Sequence, residues 1–296
     1  HLGLLGLAQR PRRVVTSAIE HSAVTNALRH LADHHDTEII TVTPGNHLLA
    51  QLDAALAKGA DLVALQWVNH ETGLVLPIDA VASRCAAASV PLFVDAVQAL
   101  LRVETLQPTP GISAMAFSAA KVGGVAGAGA LWLRRDADFA GMPGETAFER
   151  GRRPGTHPGP AIAAFGAGLE ALSKRWRAER STVEAGRKTL ATGLMSLGFV
   201  VNALPGAEHV VSVVNASFAG LRSDMAVAAL DAEGVAVSAG AACATGVERR
   251  SPVIESLFPE APWRAGHALR FSFGPGFGPQ QAADVLGRVE RVVKRV

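Results

Sequence analysis

Short, continuously apolar runs alternate with stretches of helical pattern through the first half of the chain. The apolar runs lie at 14–15, 38–43, 61–67 and 92–94, and the helical stretches lie at 18–32, 49–57 and 80–88. Runs with consecutive apolar residues, rather than strict alternation, are typical of strands whose two faces are both covered by helices. The alternation therefore predicts an open α/β fold with a mostly parallel sheet.

The second half of the chain has a different pattern. A long helical stretch at 161–197 is followed by strand candidates at 208–218, 235–237 and 268–273, and by helical stretches at 223–233 and 280–293. A chain of 296 residues that is 49% hydrophobic is long enough to form two modest domains. We expect a large α/β domain over 1–165 and a smaller α+β domain over 166–296.

Charge and composition exclude several classes of partner. The net charge of +2 gives no electrostatic reason to expect nucleic-acid binding. No apolar stretch reaches the roughly 18 residues that cross a bilayer, and the start of the chain lacks the pattern of a signal peptide. We expect a cytoplasmic protein with no nucleic-acid or membrane partner. The sequence opens on His1 inside a helical pattern, so we also expect further residues upstream.

The chain has two cysteines, and their settings differ. Two thiols cannot form a framework of several disulfides, so a reducing compartment is expected. Cys85 falls in a helical stretch, where a small buried thiol is the simplest interpretation. Cys243 is surrounded by glycine and alanine, and a thiol in such a segment has no structural reason to be there.

Polar residues follow several of the predicted strands. His21, His70, Asp95 and Lys121 each come after a strand candidate. Ligands of open α/β sheets bind beyond the carboxyl ends of the strands, so we expect these residues to converge. Ser17 and Glu20 have the Ser-x-x-Glu spacing of a capping box. This spacing predicts a helix from Ala18 with His21 in its first turn.

Asp95 and Lys121 together indicate a particular chemistry. A lysine that bonds to an aldehyde and an aspartate that holds a protonated pyridine nitrogen are the two groups that pyridoxal phosphate (PLP) requires of a protein. A buried carboxylate is costly unless it is paired, and a pyridinium nitrogen is a suitable partner. Taken singly, Asp95 could equally be a capping residue and Lys121 a solvated lysine.

The order of motifs along the chain narrows this choice. The motifs are Ser-Ala-Ile-Glu-His at 17–21, Trp-Val-Asn-His-Glu-Thr-Gly at 67–73, the segments of Asp95 and Lys121, Arg-Arg-Pro-Gly-Thr at 152–156, Ser-Ala-Gly-Ala-Ala-Cys-Ala-Thr-Gly at 238–246 and Leu-Arg-Phe-Ser-Phe-Gly at 269–274. This succession resembles the cysteine desulfurases, which belong to the fold-type I PLP-dependent enzymes of the class V aminotransferases. The resemblance extends from about residue 2 to residue 291.

The resemblance implies a PLP-dependent transferase fold of type I and a set of roles. Lys121, Cys243 and His21 would be catalytic, with Lys121 bonded to PLP and Cys243 attacking the sulfur of L-cysteine to leave alanine and a persulfide. Asn69 and Arg270 would bind the substrate. The cofactor would be held by Asp95, Gln98, Ser118, Lys121, His21, His70 and Thr156. The family also implies a homodimer, a sulfur-acceptor or scaffold protein as partner, and an upstream segment that grips the cofactor phosphate.

Several positions depart from the family pattern, mostly where the cofactor is anchored. The histidine expected before the PLP lysine is Ala120, and the asparagine expected before Glu71 is His70. Two other functions therefore stay open: a non-catalytic or PLP-poor paralogue that acts as a scaffold, and another lyase or aminotransferase of the same fold. The only histidine group with ligand-like spacing, at 30, 34 and 35, lacks a further ligand, so no metal site is predicted.

Overall fold

The computed structural model describes residues 1–104, 106–142, 148–240 and 250–295. The chain forms two compact units. The first contains His1–Val68 and Leu76–Ser173, and the second contains Asn69–Val75 and Lys174–Val296. The short segment Asn69–Val75, which carries one of the predicted motifs, thus belongs with the second half of the chain. The domain boundary expected at 165/166 stays a prediction.

The first unit is built on a six-stranded sheet. Its strands are β1 (Arg13–Ser17), β2 (Glu38–Val42), β3 (Leu62–Gln66), β4 (Leu92–Asp95), β5 (Ile112–Ser118) and β6 (Gly129–Leu133). Its helices are α1 (Leu2–Leu7), α2 (Ser22–His35), α3 (Leu48–Ala57) and α4 (Ile78–Ala87), with two short 3-10 helices at Ala119–Lys121 and Phe148–Gly151. The sheet order is β2-β1-β3-β4-β5-β6. The first five strands are parallel and only β6 is antiparallel, which confirms the predicted α/β class.

Burial explains why the apolar runs became the central strands. All five residues of β3 are buried, as a strand covered on both faces requires. The α2 helix contributes Val24, Leu28 and Leu31 to a core cluster that also contains Leu62 of β3. The β6 strand was not predicted. Its sequence, Gly-Ala-Leu-Trp-Leu, is apolar, but it directly continues a glycine-rich segment, which is typical of a loop.

The start of α2 corrects one expectation. Ser17 is the last residue of β1, where it pairs with Val42 of β2, and α2 begins at Ser22 rather than at Ala18. His21 is the N-cap residue, and its Nδ1 accepts a hydrogen bond from the Ala23 N–H at 3.1 Å. The capping-box interpretation was wrong because the backbone of Ser17 already belongs to the sheet. His21 therefore precedes the first helical turn.

The second unit contains a four-stranded antiparallel sheet with the order β7-β8-β10-β9. Its strands are β7 (Val200–Val201), β8 (Val213–Ser217), β9 (Ser238–Ala239) and β10 (Ala268–Ser272), and its helices are α6 (Ser223–Ala232), α7 (Pro252–Leu257) and α8 (Pro279–Val293), with a 3-10 helix at Pro262–Gly266. The long helix α5 (Gly159–Ser196) contains the division between the two units. The strand expected at 235–237 forms slightly later, at β9.

The core of the second unit lies between its sheet and its helices. One cluster joins Leu190 and Leu194 of α5, Leu230 of α6, Val289 of α8 and Leu269 of β10. Burial of this many large aliphatic side chains stabilises the unit, since each contributes on the order of 1.5 to 3 kcal/mol. Arg270 thus lies on a strand that its neighbours hold firmly in place.

A membrane-spanning helix is absent from the described part of the chain, because no helix there is both long and apolar enough.

Candidate functional site

Three predicted site residues lie at the carboxyl edge of the first unit's sheet. Asp95 ends β4, where it pairs with Gln66 of β3 and with Ala116 of β5. His21 follows β1 and Lys121 follows β5. Because these strands are parallel, their carboxyl ends share one edge, which is where ligands of such sheets bind.

Asp95 is a nearly buried carboxylate in a setting that disfavours its charge. Burial raises the pKa of the Asp95 carboxyl, while the Val97 N–H, which donates to Oδ1 at 3.0 Å, and the nearby His21 lower it. Desolvation is the largest of these effects. A cation beside such a group restores its ionised form. The geometry therefore favours a positively charged ligand atom next to Asp95.

A second buried acid lies at the same edge. Glu20 accepts hydrogen bonds at Oε1 from the Ser17 hydroxyl and from the Gln66 N–H, the latter at 3.1 Å. Burial, with a smaller contribution from the negative charge of Asp95, raises the pKa of Glu20 to about 8. Sequence reasoning missed Glu20 because it assigned the acid to a helix cap. An acid directly after an apolar strand was the signal that could have identified it.

Lys121 lies in a compact turn after β5. The turn is closed by backbone hydrogen bonds from the Ala119 N–H to Ala128 O at 3.1 Å and from the Gly124 N–H to Ala119 O at 2.9 Å. Lys121 itself is exposed. Its carbonyl accepts a hydrogen bond from Arg102 Nη2 at 3.2 Å. The lysine is therefore presented on a backbone that is fixed from both sides.

Arg102 connects this turn to the segment that follows Asp95. Its Nη1 donates to the Gln98 carbonyl at 3.5 Å, while its Nη2 holds the Lys121 carbonyl. Gln98 is half-buried in consecutive turns rather than in a helix, so its relation to Asp95 is not the helical turn that we expected. Sequence reasoning did not select Arg102, since no motif distinguishes it from a surface arginine.

The remaining predicted cofactor residues of the first unit lie in two places. Ser118 is the half-buried last residue of β5, and Ala120 is exposed in the turn that follows. Thr156 is exposed in a turn well beyond β6. There, Arg153 Nη1 donates to the carbonyls of Gly155 and Thr156 at 3.1 and 3.2 Å. The serine thus shares the sheet edge with Asp95, whereas Thr156 belongs to a separate loop.

In the second unit, Asn69 organises the turn that contains its motif. Asn69 is buried, and its Oδ1 accepts from the Glu71 N–H at 3.0 Å, the Thr72 N–H at 2.8 Å and the Thr72 hydroxyl at 2.9 Å. Three donors saturate this oxygen. A substrate contact of Asn69 would therefore come from its Nδ2 group.

Arg270 lies in the middle of β10, where its backbone pairs with Asn215 of β8 and with Ser238 of β9. Its Nη1 donates to the His70 carbonyl at 2.7 Å, and its Nη2 donates to the Ser238 hydroxyl at 3.2 Å. Burial lowers the pKa of the guanidinium, and the negative charge of Glu71 raises it. The predicted substrate residues Asn69 and Arg270 and the predicted cofactor residue His70 thus lie within one unit.

Cys243 lies in 241–249, outside the described residues. Cys85 is buried in α4, and burial raises the pKa of its thiol to about 12. A thiol in that state is a poor nucleophile near neutral pH. Within the part of the chain that the structure describes, no group of histidine, cysteine and acidic residues could hold a metal ion.

Comparison with known proteins identifies the family. The family model for Aminotransferase class-V matches residues 2–277. This chain belongs to the class V aminotransferases. A cysteine desulfurase of Bradyrhizobium diazoefficiens is 30% identical over 297 residues, which cover 100% of this chain and 75% of the relative. A cysteine desulfurase of Cereibacter sphaeroides is 34% identical over 273 residues, which cover 88% of this chain and 67% of the relative.

Solved structures agree with this assignment. The crystal structure of DndA from Streptomyces lividans superposes with a TM-score of 0.74 at 30% identity, covering 93% of this chain and 80% of that one. The apo structure of a cysteine desulfurase from Thermococcus onnurineus superposes with a TM-score of 0.81 at 22% identity, covering 100% and 77%. The predicted type I fold and the resemblance to cysteine desulfurases are both confirmed.

Enzymes of this family depend on PLP, and the first unit fits that cofactor in its main features. Asp95 is a largely desolvated carboxylate, and a pyridinium nitrogen beside it would lower its raised pKa. Lys121 and Ser118 lie at the same sheet edge and provide an amine and a hydroxyl. The Ala120 side chain provides no hydrogen-bond donor. The residues therefore fit the ring of PLP better than its phosphate.

Proposed function

We propose that this protein is a PLP-dependent cysteine desulfurase, which converts L-cysteine to L-alanine and retains the sulfur as a persulfide on Cys243. The observation that carries the proposal is the 30% identity to a cysteine desulfurase over the whole of this chain. Asp95 and Lys121, which both follow strands at the carboxyl edge of the sheet, support the same chemistry.

The cofactor would be held from several directions. When bound, PLP supplies an electron-withdrawing ring that labilises bonds at the substrate α-carbon. Asp95 would hold the ring nitrogen, and Lys121 would hold the aldehyde carbon. The remaining contacts to the ring, its hydroxyl and the phosphate would come from His21, Gln98, Ser118, His70 and Thr156.

The proton chemistry would rest on Lys121 and His21. The amine of Lys121, out of water once substrate is present, would take the proton from the substrate α-carbon and return it to the product. His21 Nδ1 accepts the Ala23 N–H, so the neutral imidazole carries its proton on Nε2. That nitrogen would donate to the reacting groups. Arg270 would bind the substrate carboxylate with its planar guanidinium.

Sulfur transfer would need one accessible thiolate. The Cys243 sulfur would attack the sulfur of the bound cysteine, so that a sulfur–sulfur bond forms and the carbon–sulfur bond breaks. The released electron pair would stay with the substrate carbon, which a proton then converts to alanine. Cys85 is unsuited to this step because burial raises the pKa of its thiol to about 12.

We further propose a homodimer that passes the sulfur to an acceptor or scaffold protein in the cytoplasm. The exposed position of Thr156 supports the dimer, since a phosphate contact made at a partner subunit's cofactor has to lie at the surface. Light scattering on the purified protein tests the dimer directly. A monomeric mass in the presence of PLP would rule it out.

Trapping of the cofactor tests the proposal. Borohydride treatment of the protein supplied with PLP should fix the cofactor on the peptide that contains Lys121, as mass spectrometry would detect. The Lys121→Ala variant is the control and should show no label there. Labelling at another lysine, or no label at all, would contradict the proposed enzyme. One observation favours the second candidate, a PLP-poor scaffold paralogue: Ala120 occupies the position of an expected phosphate ligand.

A further inference from the structure

One buried carboxylate in the second unit has no role in the proposed reaction. Glu71 is 0% exposed and follows directly after Asn69 and His70. Removing a carboxylate from water costs several kcal/mol unless partners compensate for it. The groups that face Glu71 therefore indicate why it is there.

Three side chains act on Glu71. The Ser251 hydroxyl donates to Oε2 at 2.5 Å, and His70 Nε2 lies 3.7 Å from Oε1. The third is Arg270. Burial raises the pKa of Glu71, and Ser251 and Arg270 lower it. In the opposite sense, burial lowers the pKa of Arg270, and Glu71 raises it. Each of these two groups therefore stabilises the charged form of the other.

The hydrogen bonds of Arg270 depend on the same short segment. Its Nη1 donates to the carbonyl of His70, the residue before Glu71, at 2.7 Å. The Asn215 Nδ2 group in turn holds the Glu71 carbonyl at 3.1 Å. Among the described residues, Arg270 Nε and Glu71 Oε1 are both buried and neither forms a hydrogen bond. A shift of Glu71 would therefore change both the field at the guanidinium and the position of its backbone acceptor.

We propose that Glu71 is the positioning residue for Arg270: its carboxylate, fixed by Ser251, holds the guanidinium in one orientation, ready for the carboxylate of the substrate. This inference rests on the proposed role of Arg270. A rigid guanidinium binds a carboxylate with less loss of side-chain entropy, so the effect should appear in substrate binding rather than in turnover. If Glu71 only stabilised the fold, its replacement would lower stability without a specific effect on substrate binding.

A double-mutant cycle distinguishes the two roles. Glu71→Gln should raise the KM for L-cysteine about tenfold while kcat changes less than about threefold, because the coupling of a buried charge pair is on the order of 1 to 3 kcal/mol. In the Arg270→Lys background the same change should raise KM less than about twofold. Glu233→Gln is the matched control, because Glu233 pairs with Arg291 and Arg295 in the same unit. It should leave KM unchanged.

An equal effect of Glu71→Gln in both backgrounds would overturn the proposal, as would a loss confined to kcat. If Glu71→Gln does not fold, Ser251→Ala provides the second test, since it keeps the charge but removes the 2.5 Å hydrogen bond. We expect it to raise KM about twofold to threefold, and only while Arg270 is present.

The role of Glu71 can be tested even if the proposed function is wrong. If the wild-type protein releases no sulfide from L-cysteine, the desulfurase proposal is wrong. Equilibrium dialysis of L-alanine against the same variants, supplied with PLP, then still tests the pair. The dissociation constant should rise about tenfold for Glu71→Gln and should not change further in the Arg270→Lys background. Equal rises in both backgrounds would refute the role of Glu71.

Discussion

The acidic side chains in the interiors of the two units have different partners. In the second unit, Glu71 is balanced by Arg270 from the same chain, and each group favours the charged form of the other. In the first unit, burial raises the pKa of both Asp95 and Glu20, and the negative charge of Asp95 contributes to the raised pKa of Glu20. His21 offsets the effect of burial on Asp95 only in part. A cationic ligand would complete the first region, whereas the second already contains its own cation.

The largest effect is expected at Asp95, where one substitution tests the difference between the two units. Asp95→Asn should weaken PLP binding by more than about a hundredfold, because it removes the charge that would pair with the pyridinium nitrogen. Arg270→Lys, the matched change in the other region, should leave PLP affinity within about twofold and weaken L-cysteine binding instead. Titration of the apoprotein with PLP, followed by absorbance, measures both. Equal PLP affinities for the two variants would contradict the assignment of PLP binding to Asp95 and of L-cysteine binding to Arg270.

A smaller effect is expected at the phosphate side of the first region. Ala120→His should tighten PLP binding about tenfold, because one charge-assisted hydrogen bond contributes on the order of 1.5 kcal/mol or more. Ala120→Leu serves as a control for the added side-chain volume. Unchanged affinity in the histidine variant would indicate that the phosphate site differs from that of the family in more than this residue, which would favour the scaffold function.

The effect least connected to cofactor binding concerns Glu20 and the pH dependence of stability. The pKa of Glu20 is raised from 4.5 to about 8 in the folded protein. The folded state thus binds the extra proton over that interval, so the stabilisation is complete below pH 4.5 and is lost as pH rises towards 8. The slope is at most about 1.4 kcal/mol per pH unit.

Urea unfolding between pH 5 and pH 8 measures that slope. We expect Glu20→Gln to reduce this slope, because glutamine does not titrate, while the raised pKa values of Asp95 and Glu71 keep part of it. The surface variant Glu255→Gln should keep the full slope. If Glu20→Gln and the wild-type protein have the same slope, Glu20 does not carry the proton.

Much of the first unit could be predicted from the sequence because its signals are local. The apolar residues that form β3 are consecutive in the sequence, and the acid that ends β4 directly follows the apolar residues of that strand. The start of α2 could not be placed, since the role of Ser17 depends on pairing with β2. The β6 strand was missed because its apolar run continues a glycine-rich segment that is typical of a loop, and its pairing with β5 is visible only in the fold.

The arrangement in the second unit was beyond sequence reasoning for a different reason. The hydrogen bond between Ser251 and Glu71 joins residues 180 positions apart, and that between Arg270 and His70 joins residues 200 positions apart. No local pattern encodes such a contact. Arg270 could be selected from its motif, but the acid that faces it could be found only from the fold.

The central claim is that Cys243 receives sulfur from L-cysteine. Mass spectrometry of the protein, supplied with PLP and L-cysteine and then alkylated, tests it most directly. We predict a persulfide on the Cys243 peptide and none on the Cys85 peptide. Cys243→Ser should form no persulfide and release no sulfide, while Cys85→Ser should behave like the wild-type protein. Sulfide release from Cys243→Ser at the wild-type rate would contradict the account.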